Sequence, residues 1–75
     1  MRRMIDVEAP DGFVCVVREN SSGSFSPYRW RTATGEESGS TVSQGIRNAE
    51  FDSPEDAMTI AYRERLNRVV LKQNR

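Results

Sequence analysis

The chain has no histidine and a single cysteine, Cys15. The first absence removes the side chain that most often serves as acid or base at neutral pH. Both together rule out an intramolecular disulfide and leave too few soft ligands for a structural zinc site. No metal and no cofactor are expected. Long apolar runs are missing too, and no stretch approaches the ~20 residues that a membrane span needs. Asp6 and Glu8 interrupt any apolar segment that could follow Arg2 and Arg3 in a secretory leader. Phosphate-loop spacing is absent, because Gly23, Gly35, Gly39 and Gly45 are scattered among serines. Net charge is absent as well: 11 basic residues face 11 acidic ones. That balance argues against a wholly basic nucleic-acid surface and equally against an acidic mimic of DNA. The unpaired cysteine fits a reducing compartment, and a cytoplasmic location is expected.

What is present is enough for one small domain over residues 1–75. A chain of this size buries about 60% of its unfolded surface, so its core is thin. Without disulfide or metal it depends on packing, alone or with a partner chain.

The clearest strand is Gly12 to Glu19, a short β-branched run between Asp11-Gly12 and the turn chemistry of Asn20-Ser21-Ser22-Gly23. A second strand is expected from Tyr28 to Ala33, where Tyr28, Trp30 and Thr32 alternate with Arg29 and Arg31 and Pro27 sits at the start. Thr34-Gly35 turns the chain. Residues 35–45 hold three glycines, three serines and two glutamates and read as a mobile loop. A third strand is expected at Ile46 to Phe51. Residues 1–11 read as extended or as a short extra strand.

The sharpest local signal is the start of a helix at Ser53. Ser53 can accept from an orphan N–H, Pro54 suits the first helical position, and Glu55 and Asp56 face the positive end of the helix dipole. Beyond it, Ala57, Met58, Ala61, Tyr62, Leu66, Val69 and Val70 recur at helical spacing as one broad apolar face. Asn67 is a point where the helix could stop, leaving Val69-Val70-Leu71 as helix or edge strand. The expected fold is therefore α+β: a three-stranded, mainly antiparallel sheet with one amphipathic C-terminal helix on one face, in the order β-β-β-α.

Catalysis finds little support. The acids Glu50, Asp52, Glu55 and Asp56 cluster where a helix N-terminus already employs them. Cys15, flanked by valines, reads as a small core hydrophobe rather than a reactive thiol. A non-enzymatic binding module is expected, with no small-molecule substrate and no membrane partner.

Two surfaces are candidates. In Tyr28-Arg29-Trp30-Arg31, alternation places aromatics on one face and arginines on the other. Those arginines are either a solvated face or contacts for phosphate or an acidic partner. The first strand is apolar on both sides, Phe13, Cys15 and Val17 against Val14 and Val16, while one helix covers one sheet face. The Val14 and Val16 side then needs a second layer, either Ile5 and Val7 folded across it or a partner. Arg65 and Arg68 add a basic end to the helix. A protein partner or self-association as a homodimer is the expected use of these surfaces, and nucleic acid is the alternative. A free-standing regulator of this size is of the kind that phages and other mobile elements encode as inhibitors.

The segment Phe51-Asp52-Ser53-Pro54-Glu55-Asp56-Ala57, followed by Ala61-Tyr62, resembles the strand-to-helix junction of plant ethylene-response DNA-binding domains and of the arm-binding domains of phage tyrosine recombinases. Those domains pair a three-stranded sheet with a C-terminal helix and place the sheet in the DNA major groove. The resemblance implies Arg29, Trp30 and Arg31 as the DNA-facing residues.

Overall fold

The computed structural model describes residues 3–36 and 40–73. Strands β1 (Met4–Glu8), β2 (Val14–Glu19) and β3 (Phe25–Arg31) precede a short helix α1 (Gln44–Asn48) and a long one, α2 (Pro54–Gln73). The strands form one antiparallel sheet in the order β1-β2-β3. The expected architecture is present, a three-stranded antiparallel sheet with a C-terminal helix on one face. The strands that build it differ from those expected.

Both hairpins close by the same turn chemistry. Ala9 N–H donates to Phe13 O at 2.8 Å and Gly12 N–H to Ala9 O at 3.0 Å; Asn20 and Gly23 repeat the pattern with Ser24 and Asn20 at 2.8 and 3.0 Å. Each turn needs a residue of positive φ at its fourth position, 91° at Gly12 and 88° at Gly23. An added Cβ would meet nothing within 4 Å at Gly23. Gly23→Ala should therefore destabilise through backbone strain alone, by about 1 kcal/mol. Urea unfolding of the variant measures this; an unchanged midpoint would mean that the turn adopts another geometry.

The third strand is not Ile46 to Phe51. Ser43 accepts from Ile46 N–H at 3.5 Å and caps α1, so the segment coils into a helix. Only Phe51 pairs with the sheet, exchanging two 2.8 Å hydrogen bonds with Phe25. The place is taken by β1, with Ile5 opposite Val17 and Val7 opposite Cys15. Ile5 and Val7 thus extend the sheet sideways and do not fold across it as a second layer.

The strand expected over Tyr28–Ala33 begins earlier, at Phe25, and ends at Arg31. Pro27 lies inside it and is fully buried. A β-bulge between Val16 and Val17 makes this tolerable: Val16 faces Arg29 and Val17 faces Pro27, leaving Tyr28 as the extra residue where the ladder is interrupted. The bulge also breaks the simple alternation of Tyr28 with Trp30.

The Ser53 junction forms as the sequence indicates. Asp56 N–H donates to Ser53 Oγ at 3.1 Å, and Ala57 N–H to Ser53 O at 3.2 Å. Helix α2 runs past Asn67 to Gln73, so residues 69–71 are helix. Ala57 and Ala61, both at zero exposure, bring it close onto Cys15, Val17 and Trp30. Its buried stripe ends differently from the expected apolar face: Leu66 is 40% exposed, while Arg65 is buried at 9%. The loop expected to be mobile over 35–45 lies partly outside the described residues. Its described end is fixed, since Val42 is in the core and α1 starts at Gln44.

Candidate functional site

The face of the sheet away from α2 carries Asp6 and Glu8 from β1, Val14 and Val16 from β2, and Arg29 and Arg31 from β3, as the register dictates. It is zoned across the strands: acidic on one edge, apolar in the centre, basic on the other. The central valines are not an open apolar patch. Val14 and Val16 are 8% and 4% exposed. An ion pair between the two flanking strands crosses this part of the face. Arg31 Nη2 donates to Asp6 Oδ2 at 2.7 Å, spanning the middle strand, and its Nη1 donates to Thr32 O at 2.8 Å. The methylene stem of such an arginine covers apolar surface while its head stays wet.

The candidate residues divide accordingly. Val14, Val16, Arg29 and Arg31 share this outer face, and of these Arg29 is exposed. Tyr28, at the bulge, is half-buried under Arg47, whose guanidinium lies 5.0 Å from the ring centre and whose Nε donates to Tyr28 O at 3.2 Å. Trp30 is on the opposite side, in the core at 2% exposure. Arg68 donates to Thr41 O at 2.6 Å and pairs with Glu64 at 3.3 Å, so it ties α2 to the segment before α1.

Arg65 is the least expected of these residues. It occupies the next helical position after Ala57 and Ala61, where the apolar stripe demands an inward residue. Its guanidinium lies 4.6 Å from the Phe13 ring centre, 4.5 Å from Trp30 and 5.6 Å from Tyr62, and it pairs with Asp11. The delocalised, weakly hydrated cation suits an aromatic box, where the ring faces supply negative potential. Arg65 is therefore an internal residue and not part of a basic outer stripe. Its Nε and the Trp30 Nε1 are buried without a hydrogen-bond partner among the described residues.

A polar clasp that sequence inspection misses joins the β2–β3 turn to the stretch before α2. Asn20 Nδ2 donates to Ser26 Oγ at 2.9 Å, and Ser26 donates to Ala49 O at 2.6 Å. Ser24 and Ser22 both donate to Glu50, the latter at 2.9 Å. These bonds, with Arg18 nearby, hold the Glu50 carboxyl below the ordinary carboxylate range. The only sign in the sequence is serine-rich turn chemistry, which does not name its partner. Beside the clasp lies an open hollow of about 370 Å³ whose lining includes Glu50, Phe51, Asp52, Asp56 and Ile60.

Cys15 is fully enclosed. Burial pushes its thiol up from 9.0 to about 12, and Arg65 pulls it slightly back. The native protein should resist thiol alkylation under conditions that label the unfolded chain. An unfolded thiol ionises from pH 9.0 while the folded one holds its proton to about 12, so stability falls as pH rises through that window. Cys15→Ala should remove this component from denaturant melts recorded below and above it; an unchanged alkaline slope would assign the loss to other groups.

Among the described residues no group of three or more His, Cys, Asp or Glu side chains is placed to hold a metal ion. Among them, too, no helix is long and apolar enough to cross a membrane. Comparison with protein-family models, with curated proteins and with solved structures finds no match.

Proposed function

We propose that this chain is a non-enzymatic protein-binding module that acts by occupying a surface of its partner. The observation that carries this reading is the fate of the cations. A phosphate-reading sheet would present free arginines, since each phosphate contact contributes by releasing counterions. Here Arg31 is paired with Asp6, Arg65 with Asp11 and Arg68 with Glu64. Of the arginines named by the resemblance to DNA-binding domains, Arg29 alone is exposed and free of a partner among the described residues, and it shares its face with Asp6 and Glu8. A zoned face of both signs suits a protein surface of complementary pattern better than a uniformly negative backbone. The buried, high-pKa thiol and the absence of histidine support a role without catalysis.

Affinity isolation from cells expressing the chain, with and without nuclease, tests the reading. A protein partner should survive nuclease treatment, and duplex DNA at low salt should leave fluorescence anisotropy unchanged. Steeply salt-dependent DNA binding, with every co-isolated protein lost to nuclease, would favour the nucleic-acid alternative and end this proposal.

A further inference from the structure

Of the two edges of the sheet, one is covered among the described residues. The outer edge of β3 meets Phe51 through the Phe25 bridge and Arg47 through Tyr28 O. Among the described residues, strand β1 has a neighbouring strand on one side only. Glu19 N–H bonds to Arg3 O and Ala9 N–H to Phe13 O at the two ends of its ladder, both at 2.8 Å. With antiparallel alternation, the odd-numbered residues of β1 bond inward, and the N–H and C=O groups of Met4, Asp6 and Glu8 point outward. An unpaired row of this kind is a template for another strand.

Side chains on either side of that row define what the added strand must carry. On the outer face, Asp6 and Glu8 line the edge, and Glu8 has no partner among the described residues. On the inner face stand Ile5 and Val7, both half-buried. Helix α2 packs against β1 on this face. Glu64 and Arg68 turn toward residues 41–43, on the β3 side. At 3.6 residues per turn, Met58, Tyr62 and Leu66 fall on the opposite flank of α2. Met58 and Tyr62 are partly buried there and Leu66 is exposed. A second copy pairing by its own β1 would set acid against acid, which disfavours self-association at this edge.

The geometry points to strand addition at β1 by a partner segment in extended conformation whose alternate residues are basic and apolar. The basic residues would lie beside Asp6 and Glu8, and the apolar ones beside Ile5 and Val7. Main-chain bonds supply the docking and the alternation supplies the choice of partner. The inference rests on the protein-binding reading and specifies the site and chemistry of that binding.

The test uses the whole protein and two capped seven-residue peptides, one alternating valine with lysine, the other valine with glutamate. Amide hydrogen exchange by NMR is the readout. At saturating valine–lysine peptide, exchange at Met4, Asp6 and Glu8 should slow by about tenfold, whereas the inward amides of Ile5 and Val7 are already protected. The valine–glutamate peptide should bind less tightly, and Glu8→Lys should shift the preference by about fivefold toward it. N-methylation of alternate peptide amides should abolish the protection. Equal protection by both peptides, or none by either, would overturn the proposal. So would perturbation confined to Val14, Val16 and Arg29, but that result would leave protein binding standing through the sheet face. Loss of the broader reading is recognised separately, by the DNA result above.

Discussion

Replacing Arg65 with alanine is expected to cost about 3 kcal/mol of stability, whereas replacing it with methionine should cost less than about 1 kcal/mol. The asymmetry follows from what Arg65 does in the core. Its stem and guanidinium fill the space among Phe13, Trp30 and Tyr62. Alanine leaves that space empty and removes cation–ring attractions of roughly 0.5–2 kcal/mol each. Asp11, left behind, is partly exposed and regains water, so its orphaned charge adds little. Methionine fills most of the volume, packs against aromatic rings and removes the buried Nε that has no partner. Lysine retains the charge but not the plane that stacks on the rings, and should fall between the two. In a domain of this size the total is only about 3–5 kcal/mol, so Arg65→Ala should lower the melting temperature by more than about 10 °C. Equal losses for Ala and Met would show that the ion pair with Asp11, rather than ring packing, holds this end of α2.

The sequence announces what is decided within a few residues. Ser53-Pro54-Glu55-Asp56 forms the helix start it encodes because capping needs nothing from the rest of the chain. The Gly12 and Gly23 turns are legible for the same reason: positive φ is a local demand. The β2 strand is recognisable from its valines and their flanking turns. Ile46 to Phe51 misleads because it leads straight into the helix start at Ser53, while the deciding residue, the Ser43 cap, lies outside the segment. The start of β3 depends on a bulge opposite Val16 and Val17, and a bulge is a property of two strands rather than one. Burial of Arg65 depends on two rings from distant positions, Phe13 and Trp30, besides Tyr62 one turn back on its own helix. A charged residue on an otherwise apolar helical stripe was the only warning, and charge argued for the wrong side. The candidate surfaces divide in the same way. Faces of strands follow from alternation, so the placement of Val14, Val16, Arg29 and Arg31 was foreseeable. That Arg31 would reach across the valines to Asp6 was not, because Asp6 belonged to a segment whose pairing was undetermined.

Trp30→Ala should be the more severe change, leaving a chain that is mostly unfolded at physiological temperature. Truncating a buried tryptophan costs about 3–5 kcal/mol, which matches the whole stability expected of so small a domain. Trp30 stands opposite Cys15 on the inner face, beneath Ala57 and Ala61, at the junction of sheet, helix and aromatic box. Phenylalanine at this position should be far milder, because it keeps a ring under Arg65 and deletes an indole N–H that has no partner. The two residues also share their energy. Once Trp30 is truncated, Arg65 has lost a ring at 4.5 Å and gains water, so its own removal costs less than in the native protein. A double-mutant cycle on a background where every member still folds, Trp30→Phe and Trp30→Leu each with Arg65→Met, reads this coupling directly. The leucine cycle should show a coupling of about 1 kcal/mol and the phenylalanine cycle much less, as only the first removes the ring face. Additive losses in both would mean that Arg65 and Trp30 are neighbours in space but independent in energy, and that Phe13 and Tyr62 carry the box.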